Sequence, residues 1–169
     1  MRKLECLRTC NPPSVHVDEL FDEWERAWSG REPAGFEPLC ADGFQYEDPL
    51  TPEPLHGADG LARHATRLWE AFPDVRLNRT GARLSDGTFA CAPAKLLGTH
   101  RSALGTIAPT GRFLTVHLVV YAELRDERLL RARTFFDVHD AGVQLGLFPK
   151  PGTAGHRALL MLRGFGLRG

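Results

Sequence analysis

Between residues 74 and 139 the sequence stops reading as helix. The segments near 74–84, 87–100, 112–124 and 128–139 are each strand-like, and Gly- or Asp-rich turns join them. Upstream, Val17, Leu20, Phe21, Trp24, Ala27 and Trp28 recur at helical spacing and predict an amphipathic helix ending at Gly30. Pro12-Pro13-Ser14 stops whatever precedes it, and Ser14 can cap the helix. A short strand over 40–48 ends at Pro49. A second helix, capped by Asp59, carries Leu61, Ala65, Leu68, Trp69 and Phe72 on one face and is terminated by Pro73. The order predicts an α+β fold, a curved antiparallel sheet with helices packed on one face.

At 169 residues, with 43% hydrophobic and 25% charged residues, the chain suits one soluble domain. No apolar run reaches membrane-helix length, and Leu4 to Cys10 offers no signal-peptide core, so a cytoplasmic location and no membrane partner are expected. Cys6, Cys10, Cys40 and Cys91 form no C-x-x-C pair and are expected as free thiols. The seven histidines are scattered, so no metal site is expected. Net charge is zero and no basic, aromatic-studded stripe occurs, which argues against nucleic acid. Residues 16–59 nevertheless hold twelve acids against two arginines, read most simply as a solvated helix face.

Asp137 draws attention because Phe135, Phe136 and Val138 surround it near a strand end. A covered carboxyl there would have a raised pKa suited to proton exchange near neutrality. Arg133, four residues back on the same face as Leu129, Arg131 and Phe135, could pair with it and oppose that effect. Otherwise Asp137 caps the following helix. His100, at a strand end, is a second candidate proton carrier. Ala90, Ala92 and Ala94 on its strand would hollow a cavity, and Pro93 implies an edge or bulge. His117 lies mid-strand in a set with Phe113, Thr115, Val119 and Tyr121, while Leu114, Val116, Leu118 and Val120 form the opposite, aliphatic set. Either set could face a pocket. Tyr46 and Asp48 share a face of the first strand. Tyr46 could hydrogen-bond a carbonyl or enolate oxygen, and Asp48 could simply shape the turn before Pro49.

Ala71-Phe72-Pro73-Asp74, Gly98-Thr99-His100, Pro109-Thr110-Gly111-Arg112, Phe136-Asp137 and Gln144-Leu145-Gly146 come in the order and spacing of one family. Over roughly Val17 to Pro149 the chain resembles the SnoaL-like polyketide (ester) cyclases of the nuclear-transport-factor-2-like superfamily. The resemblance implies a single cone-shaped domain over residues 1–149 enclosing a cavity, with 150–169 as an extension. It implies a cofactor-free cyclase closing a ring in a small hydrophobic polyketide-like intermediate of antibiotic-type biosynthesis. Asp137 would be its acid/base, assisted by His100 and His117. Tyr46, Asp48, Arg133, Phe135, Trp69 and Tyr121 are the candidate substrate contacts, with Arg133 also suited to gripping an anionic substrate. A non-catalytic binding or dimerisation module of the same fold is the alternative, as is an epoxide-opening or isomerase activity. Residues 132–137 also look like the last strand of limonene-epoxide-hydrolase-like proteins. His117 and Val119, standing where Arg-x-Asp would be needed, disfavour hydrolysis by that route.

A homodimer across the exposed sheet face is expected, because the aliphatic set is too large a patch to leave wet. The glycines of the tail disfavour a long helix from His156 to Gly169, so a short segment docked by its leucines near the cone mouth or on a partner subunit is expected.

Overall fold

The computed structural model describes residues 15–165; Ser14, Cys6 and Cys10 lie outside the described residues. Helix α1 (Val15–Gly30) is followed by a 3-10 turn (Pro33–Leu39), which the sequence reading did not foresee, and then by β1 (Cys40–Glu47) and β2 (Leu55–His56). Helix α2 (Gly57–Ala71) leads into β3 (Arg76–Arg79), β4 (Leu84–Ser85), β5 (Phe89–Thr99), β6 (Phe113–Arg125) and β7 (Arg128–Phe136). Helices α3 (Val138–Leu145) and α4 (Ala154–Phe165) close the chain.

The sheet order is β2-β1-β7-β6-β5-β3, with β4 also on β5. Among the described residues all pairings are antiparallel except one. β1 runs parallel to β7, which joins the first long strand to the last and departs from the expected all-antiparallel sheet. Helices α1 and α2 pack against one concave face, where Trp24, Trp28, Phe36 and Trp69 form an edge-to-face and stacked aromatic cluster. Pro93 sits opposite the gap between β3, which pairs Ala94 to Leu97, and β4, which pairs Ala90 and Cys91. There β5 is locally an edge, so the missing N–H costs no ladder bond. Ala90, Ala92 and Ala94 are buried in the packed core and do not line the cavity they were expected to hollow.

Strand β6 decides which face of the sheet is interior. Its aliphatic set turns inward and its Phe113, His117, Val119 and Tyr121 turn outward. Burying the four aliphatics is worth more than burying a set that contains Thr and His. Cross-strand pairing then fixes β7: Leu118 lies opposite Phe136, Val120 opposite Thr134, and Ala122 opposite Ala132. Thr134 and Phe136 therefore point in, and Arg133 and Phe135 point out. A register shift between Glu123 and Leu124 carries Leu129 back to the interior, so it does not share the outward face of Arg131 and Arg133.

The acidic face of α1 is only partly a solvated one. Arg83, with no side-chain exposure, reaches Asp22 and Glu25 at 2.7 Å each and Asp18 at 3.4 Å, and its guanidinium lies over the Phe21 ring. Burial alone would lower the Arg83 pKa, but the hydrogen bonds to Glu25 and Asp22 outweigh it and hold the charge.

The tail differs from the expected short segment at the cone mouth, and the side chains of Leu162 and Phe165 lie outside the described residues. It forms a twelve-residue helix, α4, and Leu159, Leu160 and Met161 stand exposed on it instead of docking on the cone. Among the described residues no helix is long and apolar enough to cross a membrane.

Candidate functional site

Between the helices and the inner sheet face lies a cavity of about 270 Å³. Its walls come from Trp24 and Trp28 of α1, from Leu114, Val116, Leu118 and Val120 of β6, and from α3. Leu50, Leu147 and Phe148 line it and are also exposed, so they form its mouth. Gly142 of α3 is a close-approach position: a Cβ there would stand 2.5 Å from the Phe148 ring, so only glycine lets that ring fold over the helix. Gly146, at φ 80°, ends α3 in the left-handed conformation.

One polar cluster interrupts this apolar wall. Tyr46 and Asp48 alternate inward at the end of β1, and Thr134 meets them from β7. The Tyr46 hydroxyl is 3.1 Å from Asp48 Oδ2 and 3.1 Å from Thr134 Oγ1. With a single phenolic proton, Tyr46 donates to the carboxylate and accepts from the threonine hydroxyl. Behind them, His64 of α2 donates from Nε2 to Asp48 Oδ2 at 2.8 Å. Arg67, one turn further along α2, donates to His64 Nδ1 at 3.1 Å. A guanidinium can only donate, so Nδ1 must be the acceptor and His64 the neutral Nε2–H tautomer. The remaining Asp48 oxygen accepts the Leu50 N–H at 2.8 Å, and the Thr51 hydroxyl pins the Asp48 backbone. Asp48 thus shapes the turn before Pro49 and also faces the cavity.

Burial alone would raise the Asp48 pKa. The hydrogen bond and the electrostatic pull of His64 outweigh it, helped by Leu50 and Tyr46, and hold the carboxyl below its ordinary range. Burial, together with the Asp48 charge, pushes the Tyr46 phenol well above its ordinary value. The site therefore holds a carboxylate, which can accept a proton, beside a phenol that remains a donor.

The other expected site residues are placed elsewhere. Asp137 is exposed, and its Oδ1 accepts the Asp140 N–H at 2.9 Å as the N-cap of α3. Its neighbours Phe136 and Val138 line the cavity while Asp137 does not, because β7 alternates and Asp137 falls on the outward parity. Arg133 is on the outer face, paired with Glu47 and not with Asp137. That Glu47 partner also removes Arg133 from any grip on a substrate in the cavity. His117, Phe135 and Tyr121 are likewise outward and exposed, with Tyr121 stacked on Phe89. Trp69 is a core brace that donates its indole N–H to the Trp28 carbonyl at 3.0 Å.

His100 is fully buried but lies outside the cavity lining. It stacks on Phe72, and its Nδ1 accepts the Thr110 N–H at 3.2 Å. Burial lowers its pKa against a weaker opposing pull from Ser102. Neutral His100 thus stabilises the fold above the ordinary histidine range, and that stability is lost as pH falls from there toward the lower folded value. Thermal midpoints measured down this range should fall more steeply in the native protein than in His100→Gln, which cannot titrate. Equal slopes would assign the acid lability elsewhere.

The sequence reading missed His64, Arg67 and Thr134. The signal for His64 was present: with Leu61, Ala65, Leu68 and Trp69 it completes the i, i+3, i+4, i+7, i+8 stripe of α2, one ionisable side chain on an otherwise apolar face.

A curved open sheet wrapped by helices around an apolar cavity with one buried polar cluster defines the nuclear-transport-factor-2-like architecture. The sequence matches the SnoaL-like polyketide cyclase family over residues 18–145, and the chain belongs to that family. Among solved structures it is similar to a candidate polyketide cyclase from Acidithiobacillus ferrooxidans, with a TM-score of 0.70, 20% identity, and coverage of 80% of this chain and 97% of that one. TsrD from Streptomyces laurentii aligns with a TM-score of 0.69 and 18% identity, over 78% of this chain and 95% of that one. AclR, a candidate hydroxylase from Streptomyces galilaeus, gives 0.69 and 18%, over 88% and 92%. At these identities the likeness establishes the fold. No curated protein sequence matches the chain.

Proposed function

We infer that the protein is an isomerase-type cyclase that removes a proton next to a carbonyl and closes a carbon ring within one substrate. The observation that carries this is the buried Asp48 carboxylate sharing a cavity wall with the Tyr46 phenol. When a substrate carbonyl enters, the Tyr46 proton turns from Asp48 to the carbonyl oxygen. That shift polarises the carbonyl and leaves Asp48 Oδ2 with one donor fewer, which raises its basicity as it is needed. Asp48 then takes the α-proton and the C–H electron pair becomes the enolate. The enolate carbon attacks a second carbonyl carbon of the same molecule, and the resulting alkoxide recovers the proton from Asp48. Atoms and charge balance without a co-reactant. The cavity contributes by holding the two reacting ends together.

Exchange of α-protons is testable without the natural substrate. In deuterated buffer, 2-tetralone should lose its α-proton signals faster with the enzyme than with buffer alone. A second reading, a binding module without chemistry, has one observation in its favour: three donors already satisfy Asp48. Absence of enhanced exchange, with 2-tetralone bound, would select that reading.

In this proposal Asp137 has no chemical role. Asp137→Ala should cost about 1 kcal/mol, as loss of an N-cap does, and leave exchange unchanged. A hundredfold loss of exchange would instead restore it as the acid.

A second copy of the chain is proposed to cover the outer sheet face, where the aromatics Phe113, Tyr121 and Phe135 are exposed. The aliphatic set first expected to drive this contact is spent on the interior. Light scattering should report a dimer for the native chain and a monomer for Phe135→Glu. A native monomer at micromolar concentration would remove this part of the reading.

A further inference from the structure

The cavity narrows the class of molecule that the proposed chemistry could act on, and this inference rests on that reading of the site. Among the described residues lining the cavity only Asp48 bears a formal charge, and it is negative. The nearest cation in the cluster, Arg67, lies behind His64 and points its donor at Nδ1, away from Asp48. His64 is neutral in this arrangement and lies behind the cavity-lining Asp48. Arg133, the cation expected to hold an anionic group, is outside the cone and paired with Glu47. A ligand carboxylate would meet another carboxylate in an apolar surround that screens poorly, with no cation among the described residues in contact to offset the repulsion. The polar atoms of Tyr46, Asp48 and Thr134 cluster together, so the cavity can satisfy polar groups at one end of a ligand and would desolvate them elsewhere. The volume, about 270 Å³, falls just below the ~300–1,000 Å³ range of pockets for drug-sized ligands.

We propose that the site selects a compact molecule of one or two fused rings, or an open chain of that bulk, which carries a carbonyl or hydroxyl at one end and no carboxylate. Tyr46 donates to a carbonyl there, and Asp48 accepts from a hydroxyl. Selection against anions comes from Asp48 itself, so the residue proposed as the base is also the charge filter.

The test is calorimetric titration of the full-length protein near neutral pH with three probes, 2-naphthol, 2-naphthoate and 1-hydroxypyrene. 2-Naphthol is expected to bind, 2-naphthoate at least about tenfold more weakly, and 1-hydroxypyrene not measurably. In Asp48→Asn the preference for the phenol over the carboxylate should collapse to within about threefold, because the opposing charge has gone. Should Asp48→Asn fail to fold, the native protein with 2-naphthylmethylamine replaces it: the ammonium must bind more tightly than 2-naphthoate. Binding of 2-naphthoate as tight as that of 2-naphthol, or a preference that survives in Asp48→Asn, overturns the charge filter. Binding of 1-hydroxypyrene as tight as that of 2-naphthol overturns the size limit. These titrations involve no turnover. Failure of 2-tetralone exchange with the probe ranking intact would remove the acid/base reading alone, and exchange with the ranking reversed would remove only the selectivity.

Discussion

Asp48→Asn is expected to lower enzyme-catalysed α-proton exchange by about 10²–10⁴-fold, the usual contribution of a positioned general base. The substitution preserves volume, and its amide oxygen can still accept the Leu50 N–H. Its amide nitrogen then confronts His64 Nε2–H, donor against donor. His64 cannot escape by moving its proton to Nδ1, since Arg67 donates there. The variant therefore carries a buried polar mismatch as well as losing the base, and its thermal midpoint should drop by the equivalent of about 1–3 kcal/mol. Exchange must be measured well below that midpoint, with circular dichroism confirming the fold. His64→Gln is expected to be milder, because it removes a donor from the carboxylate and leaves the carboxylate itself. Because its donors hold the Asp48 pKa low, native activity should stay flat across neutral and mildly acidic pH and fall only below the ordinary carboxylate range. A rate that declines near neutrality would point to a different base. Retention of near-native exchange by Asp48→Asn would end the mechanism.

The largest expected effect on stability lies far from the cavity. Arg83→Met should destabilise the protein by about 3 kcal/mol, at the low end for breaking a buried charge cluster because Asp22 remains half exposed. For a chain of this size that is a fall of roughly 6–12 °C in thermal midpoint. The reason is asymmetry. Methionine fills the space over Phe21, but it leaves Asp18, Asp22 and Glu25 facing one another along α1, with Arg79 the remaining cation among the described residues, paired to Asp18. Added salt should recover part of the loss by screening the three acids. A midpoint within one degree of the native value would mean that the cluster is energetically neutral. Because α1 supplies Trp24 and Trp28 to the cavity, the same variant should also loosen ligand binding.

The architecture was legible because periodicity carries it. The α1 stripe, the α2 stripe and the succession of helices and strands follow from spacing and stand in the structure, although the segment 74–84 divides into β3 and β4 and β1 pairs parallel with β7. Parity was not legible at β6, where an aromatic set and an aliphatic set alternate and each is apolar enough to be buried. That one ambiguity propagated: with the inward set of β6 left open, nothing in the pattern of β7 alone kept Asp137 and Arg133 out of the cavity or brought Thr134 into it. The bulge that returns Leu129 to the interior depends on the pairing of two strands, which no single-strand pattern displays. Tyr46 and Asp48 were found because both sit on one face of a short strand. Their partner on α2 was passed over because a histidine within an apolar stripe reads first as a filler of the core.

The parallel pairing of β1 with β7 bears on how the protein comes into being. Tyr46 and Thr134, which touch in the folded state, are 88 residues apart in the chain. Contacts of that separation close the longest loops, and their entropy must be met before they return anything. The local hairpin of β6 and β7 can form early, while β1 has to wait for β7 to exist. During synthesis the carboxylate and the phenol would thus emerge without the strand that completes their wall, and the cavity would be assembled at the final step of folding. A chain interrupted anywhere before residue 134 would lack a working site, however much of its sheet had formed.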